Sequence, residues 1–143
     1  SYNLAALTVG MMIGGAVSLK VKFARPLAIS MVLIATSSLW DFAIALELPI
    51  IFPIIAALFS GFAIEIFMVN WNTSMQKHIP EESFSRVTSY DAFGSFGIAP
   101  LGIVIAGPIA ATIGISNALW WTGGITLVAA LLSLLVKSVR DLR

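Results

Sequence analysis

The sequence predicts an all-α protein that crosses a membrane about five times, and three observations carry that prediction. Of 143 residues, 59% are hydrophobic and only 10% are charged, with a mean hydropathy of +0.99, whereas soluble domains run near a quarter charged. The apolar residues fall into runs of about twenty, the length a helix needs to cross about 30 Å of hydrocarbon. All eight Lys and Arg fall in connections that would share one side of the membrane.

The first span covers about residues 1–19 and carries no charge. Ala6, Gly10, Gly14 and Ser18 recur at i+4 and form a stripe of small residues where a second backbone can approach closely. Lys20, Lys22, Arg25 and Pro26 make a basic turn into the second span, about 27–46, with Trp40 and Asp41 near its far end. The turn Glu47-Leu48-Pro49 is too short for anything but antiparallel neighbours. The third span, about 50–71, holds twelve Ile, Leu, Phe or Val, worth about 5 kcal/mol of insertion against about 3 kcal/mol for one central acid, so it inserts despite Glu65. Gly61, Glu65, Met68 and Asn72 fall on one stripe of it, which reads as a lining face.

A polar connector of about fifteen residues follows, and in it Pro80, Glu81 and Glu82 suit the first turn of a helix. The fourth span, about 87–113, contains Gly94, Gly97, Pro100, Gly102, Gly107 and Pro108, a composition that membrane bundles accommodate through neighbouring helices. A turn at 114–117 leads to the fifth span, about 118–136, and the chain leaves through Lys137, Arg140, Asp141 and Arg143. Chance would place eight basic residues on one assigned side about once in 250, so the positive-inside rule makes that side cytoplasmic, with Ser1 outside and the C-terminus inside. A multi-pass protein of the cell (inner or plasma) membrane is expected. The uncharged opening at Ser1 reads as the interior of a longer chain rather than as a signal peptide.

Candidate functional residues are few. A near-neutral net charge of +1 disfavours nucleic-acid binding. With no Cys, one His and no acid cluster, neither a metal site nor a cofactor is expected. Glu65, deep in an apolar run, must be neutral, paired or beside water; it is either a proton carrier or cation contact, or one half of an interhelical hydrogen bond. Asp91 is expected to pair with a cytoplasmic Arg or cap a neighbouring helix, with proton transfer as the alternative, and Arg86 is its nearest anchor at the membrane surface. Trp40, Trp120 and Trp121 suit the interfacial belt, while Trp71 is the one placed to meet a substrate.

Three stretches carry a resemblance to a known family: GGAVSLKVKFARPL at 14–27, GFAIEIFMVNWNTSMQKHIPEESFSRVTSYDAFGSF at 61–96 and PLGIVIAGPIAATIG at 100–114. Together they resemble the C-terminal part of a major facilitator superfamily transporter, of the drug and siderophore proton-antiporter branch that includes macrolide exporters. The resemblance spans essentially the whole chain and implies that 1–143 is a fragment of the C-terminal half-bundle, helices eight to twelve of twelve. It implies that the third span lines a substrate cavity and that the first and fourth sit between the two halves, with Gly102, Gly107 and Pro108 as packing residues beside the Ala6–Ser18 stripe. Lys20, Lys22 and Arg25 would then belong to a cytoplasmic gating turn. This turn lacks the acid that the family places before its first basic residue. The glycine and proline spacing of the fourth span is also out of register with the antiporter signature.

The expected function is therefore part of a secondary transporter that exports small amphipathic molecules by alternating access, coupled to protons. Its partners would be the lipid bilayer, the missing N-terminal half, the exported molecule and protons. The alternative is a small membrane scaffold that binds another membrane protein through its small-residue face. An intramembrane enzyme is not expected, for want of a nucleophile–base pair, paired acids or a metal motif.

Overall fold

The computed structural model describes residues 2–142, so Ser1 and Arg143, two positions used in the sidedness argument, lie outside the described residues. Its helices are α1 (Tyr2–Lys20), α2 (Pro26–Ala45), α3 (Ile51–His78), α4 (Glu81–Ala92), α5 (Ile98–Ile113), α6 (Ile115–Ser133) and a short α7 (Lys137–Asp141). A π-helical turn, Phe93–Gly97, joins α4 to α5 in one continuous rod. Five helical units are long and apolar enough to span a bilayer, the α4–α5 rod counting as one. The chain is an all-α, multi-pass membrane protein.

The helix ends follow from local chemistry. Pro26 opens α2, where its missing N–H would have had no partner. The third helix runs past the predicted end at residue 71 to His78, with Lys77 and His78 set against the negative end of its dipole. It stops because Pro80 excludes Ile79 from helical geometry, leaving Ile79 extended at φ −102° and ψ 125°. The connector expected to be a fifteen-residue hinge is thus helix nearly throughout. Its polarity marks where the apolar span ends, and the backbone continues as helix beyond it. At 28 and 33 residues, α3 and the α4–α5 rod reach about 42 and 50 Å, well beyond a hydrocarbon core. Within the rod, Pro100 cannot bond the Phe96 carbonyl, and the wide π turn directly before it absorbs that loss.

Glu47 closes α2 with φ 52°, a left-handed conformation that side chains resist. Its N–H donates to the Ile44 carbonyl at 3.0 Å and that of Leu48 to Ala43 at 3.2 Å, the paired bonds of a Schellman cap. Glycine suits this position better, so Glu47→Gly is expected to stabilise the bundle by about 0.5–1 kcal/mol after the added freedom of the unfolded chain is deducted. A rise in the thermal unfolding midpoint in detergent checks this; a fall shows that the glutamate side chain matters more than its backbone.

The helices lie side by side, α1 on α3, α3 on α2 and α2 on α6. The residues that seal these contacts are small: Ala57 and Ala63 are wholly buried, as are Ser30, Ser38 and Ser60, so backbones approach closely as they do in membrane bundles. Polar groups tie the layer together. Asn70 Nδ2 of α3 donates to Ser30 Oγ at 2.9 Å and to the Pro26 carbonyl at 3.2 Å, and Ser60 Oγ donates to the Ser37 carbonyl at 3.3 Å. At the other end Ser116 Oγ reaches the Ala45 carbonyl at 2.9 Å, satisfying an acceptor that α2 leaves open. Large apolar side chains such as Val9, Phe52, Phe59, Ile103 and Trp121 face outward, the arrangement lipid favours and water does not.

No residue of α4, the π turn or α5 is buried. This rod meets the rest of the described bundle chiefly where α5 turns into α6. That turn is Gly114 alone, at φ 87° and ψ 149°, a conformation that a side chain would strain. The fifth span accordingly starts at Ile115, three residues earlier than expected.

Candidate functional site

The seam between α1 and α3 holds the residue to which the sequence assigns most chemistry. The two helices run parallel. Gly10 faces the backbone of Leu58 and Phe62, and Gly61 faces that of Leu7 and Met11. A Cβ at Gly10 would overlap the carbonyl oxygen of Leu58, and one at Gly61 that of Leu7. Gly61 was expected on an open lining wall; it is instead buried in this seam, because only a residue without a side chain lets α1 approach so closely. Gly10 and Gly14 sit where the small-residue stripe placed them.

One turn further along, a Cβ at Gly14 would stand 2.8 Å from the Phe62 carbonyl oxygen and 3.0 Å from Glu65 Cβ, and one at Gly15 would stand 3.8 Å from Glu65 Cγ and Oε1. Glu65 thus lies across the Gly14-Gly15 pair, in the notch their missing side chains leave. It is half-buried and makes no hydrogen bond or ion pair with any described residue. Neither carboxylate oxygen is sealed inside protein. A carboxylate so placed can take up a proton, or meet a cationic group arriving from the open side of the notch.

The other stripe residues continue outward from it. Met68 is 45% exposed, and exposed Asn72 donates from Nδ2 to the Met68 carbonyl at 2.8 Å. Trp71 is half-buried and stacks on Phe67, with ring centroids 6.1 Å apart and planes 20° from parallel. The basic turn lies at the same end of the bundle as the end of α3, since Lys22 and Lys77 line one cavity there, and Arg25 lies near Leu134 from the end of α6. Lys20 and Lys22 are exposed, and no ion pair joins Lys20, Lys22, Arg25 or Arg86 to Asp91. Asp91 is half-buried on α4, and Arg86 is exposed one turn before it. Ala6 is half-buried, while Ser18 Oγ is shut from solvent without a partner. Gly102 and Gly107 have nothing within 4 Å of where a Cβ would stand, and Pro108 is exposed, so none of the three packs within the described chain.

Two features escape a reading of the sequence. Asn70 is the main polar tie between α3 and α2; its only signal was an amide inside an apolar run. Asp41, near the far end of the second span, is half-buried, and its Cβ would lie 3.1 Å from a Cβ at Gly123 of α6. Among the described residues no cluster of three or more His, Cys, Asp or Glu is grouped to hold a metal ion. No family model, curated protein or solved structure matches the chain.

Proposed function

We propose that the chain is part of a secondary transporter that exports small amphipathic molecules by alternating access, with protons entering through Glu65. The basic end of the bundle faces the cytoplasm in this reading, following the positive-inside rule. The observation that carries the proposal is the position of Glu65 in a glycine-lined notch partway along an apolar helix, with no partner among the described residues and an open side. A purely structural acid at that depth would be bonded to a neighbouring helix, since an unpaired one is expensive to keep in hydrocarbon. The resemblance noted above to the drug and siderophore exporters of the major facilitator superfamily points the same way.

Alternating access needs two bundles rocking about a central site, so the chain would work with a further set of helices. The test uses the complete gene product in inverted vesicles with an imposed proton gradient and a fluorescent amphipathic cation. Dye movement that stops when a protonophore collapses the gradient is expected; movement indifferent to the gradient contradicts proton coupling. Vesicles holding residues 1–143 alone are expected to move no dye.

A scaffold remains the second reading, favoured by the α4–α5 rod, which buries nothing and offers a long face to another membrane protein. The small-residue stripe of α1 does not serve that role, because α3 already covers Gly10 and Gly14. Under this reading the complete product moves no dye under any gradient.

A further inference from the structure

The chain carries no acid before Asp41, so the turn that holds Lys20, Lys22 and Arg25 has no counter-charge of its own. Arg25 stands directly before Pro26, the first residue of α2, and its carbonyl accepts the N–H of Ile29 at 3.1 Å, which fixes the backbone from which its side chain leaves. That side chain is exposed and makes no hydrogen bond or ion pair with any described residue.

An apolar groove of about 410 Å³ begins at Arg25 and runs along α2. Ala28, Ile29, Val32 and Leu33 form its α2 side, and Leu134, where α6 ends, forms the other. Arg25 is the one polar side chain in the lining. Because Arg25, Ile29 and Leu33 recur at i+4, the groove follows the helix axis into the span for about 12 Å. The small side chain of Ala28, between the guanidinium and Val32, leaves the depression.

A lone guanidinium at the mouth of an apolar groove, where a span meets the headgroups, has the chemistry to hold an anionic phospholipid. The planar fork of Arg25 matches a phosphate, and a hydrocarbon tail fills the groove behind it. A zwitterionic lipid offers the same phosphate but brings an ammonium that the three cations of the turn repel. An apolar partner helix would leave Arg25 without a counter-charge, and a soluble phosphate compound would leave the groove unfilled. We infer that one anionic phospholipid occupies this groove, its phosphate on Arg25 and an acyl chain against Ala28, Val32 and Leu134. The inference requires that α2 cross a bilayer and does not rest on the transport reading.

The test places the complete gene product in nanodiscs of phosphatidylcholine with a minor fraction of phosphatidylglycerol of the same acyl chains. Native mass spectrometry then counts the lipids retained after gentle extraction. Retention of phosphatidylglycerol over phosphatidylcholine is expected, falling about tenfold for Arg25→Gln as a charge-assisted contact is lost. Ala28→Leu keeps every charge but fills the groove, and is expected to weaken retention as well. Lys22→Gln removes a cation from the same turn but outside the groove, and is expected to leave retention unchanged. Equal retention of the two lipids overturns the inference and leaves the groove to another occupant. A loss that Lys22→Gln reproduces overturns it too, since the charge of the turn alone would then explain binding. Indifference to Ala28→Leu overturns it by removing the groove from the site.

Discussion

Adding one methyl group at Gly61 is expected to separate α1 from α3. On an exposed helix Gly→Ala stabilises by about 1 kcal/mol through backbone entropy alone, so the sign of the change reports what faces the glycine. At Gly61 a Cβ would fall on the carbonyl oxygen of Leu7, and at Gly10 on that of Leu58. Both obstacles are backbone, which cannot rotate away, so the helices must move apart and lose the contacts of the whole seam. Overpacking of this kind costs about 3 kcal/mol, which outweighs the helix-propensity gain. Gly107→Ala supplies the contrast, since nothing lies within 4 Å of a Cβ there, and the gain is then unopposed. Unfolding midpoints in mild detergent should therefore fall for Gly10→Ala and Gly61→Ala and hold or rise for Gly107→Ala. Equal behaviour at the three sites would mean that the parallel α1–α3 seam is wrong.

Glu65→Gln is expected to abolish proton-driven efflux by the complete gene product while leaving membrane insertion intact. Glutamine keeps the size of the side chain across Gly14 and Gly15 and its capacity to hydrogen-bond but removes the ionisable carboxyl that the proposal requires. Insertion should if anything improve, because the acid is the one charged side chain in the apolar part of α3 and costs about 3 kcal/mol at the helix centre. Efflux measured across a pH series against the wild type decides the matter. If the two profiles coincide, Glu65 plays no part in coupling and its notch is a packing feature.

The fold was legible in the sequence wherever lipid dictates it. Long apolar runs, three of them carrying a single acid, marked five spans, and Pro26, Pro80 and Gly114 marked where helices begin, break and turn. Helix ends were less legible between residues 71 and 81, since hydropathy reports where hydrocarbon ends while the backbone of α3 is hydrogen-bonded to His78 regardless. The stripe of Gly10 and Gly14 announced a close approach, but a stripe does not name its partner. That partner proved to be α3 through Gly61, which the same period of 3.6 had assigned to the wall carrying Glu65. Periodicity places residues on a face and is silent about which neighbour covers each part of its length. The cavity around Ser18, Lys22 and Lys77 joins residues more than fifty positions apart, and only the parallel pairing of α1 and α3 brings them together.

The transport proposal depends on the basic segments sharing one side of a membrane, which that proposal takes to be the cytoplasmic side. Because the chain has no Cys, single cysteines can be introduced without a background. A membrane-impermeant thiol reagent applied outside intact cells should label Leu48→Cys and Asn117→Cys, and should reach Lys22→Cys, Lys77→Cys and Lys137→Cys only after the membrane is opened. Labelling of any of those three lysine positions in intact cells would contradict the five-span path and, with it, the placement of Glu65 inside the bilayer.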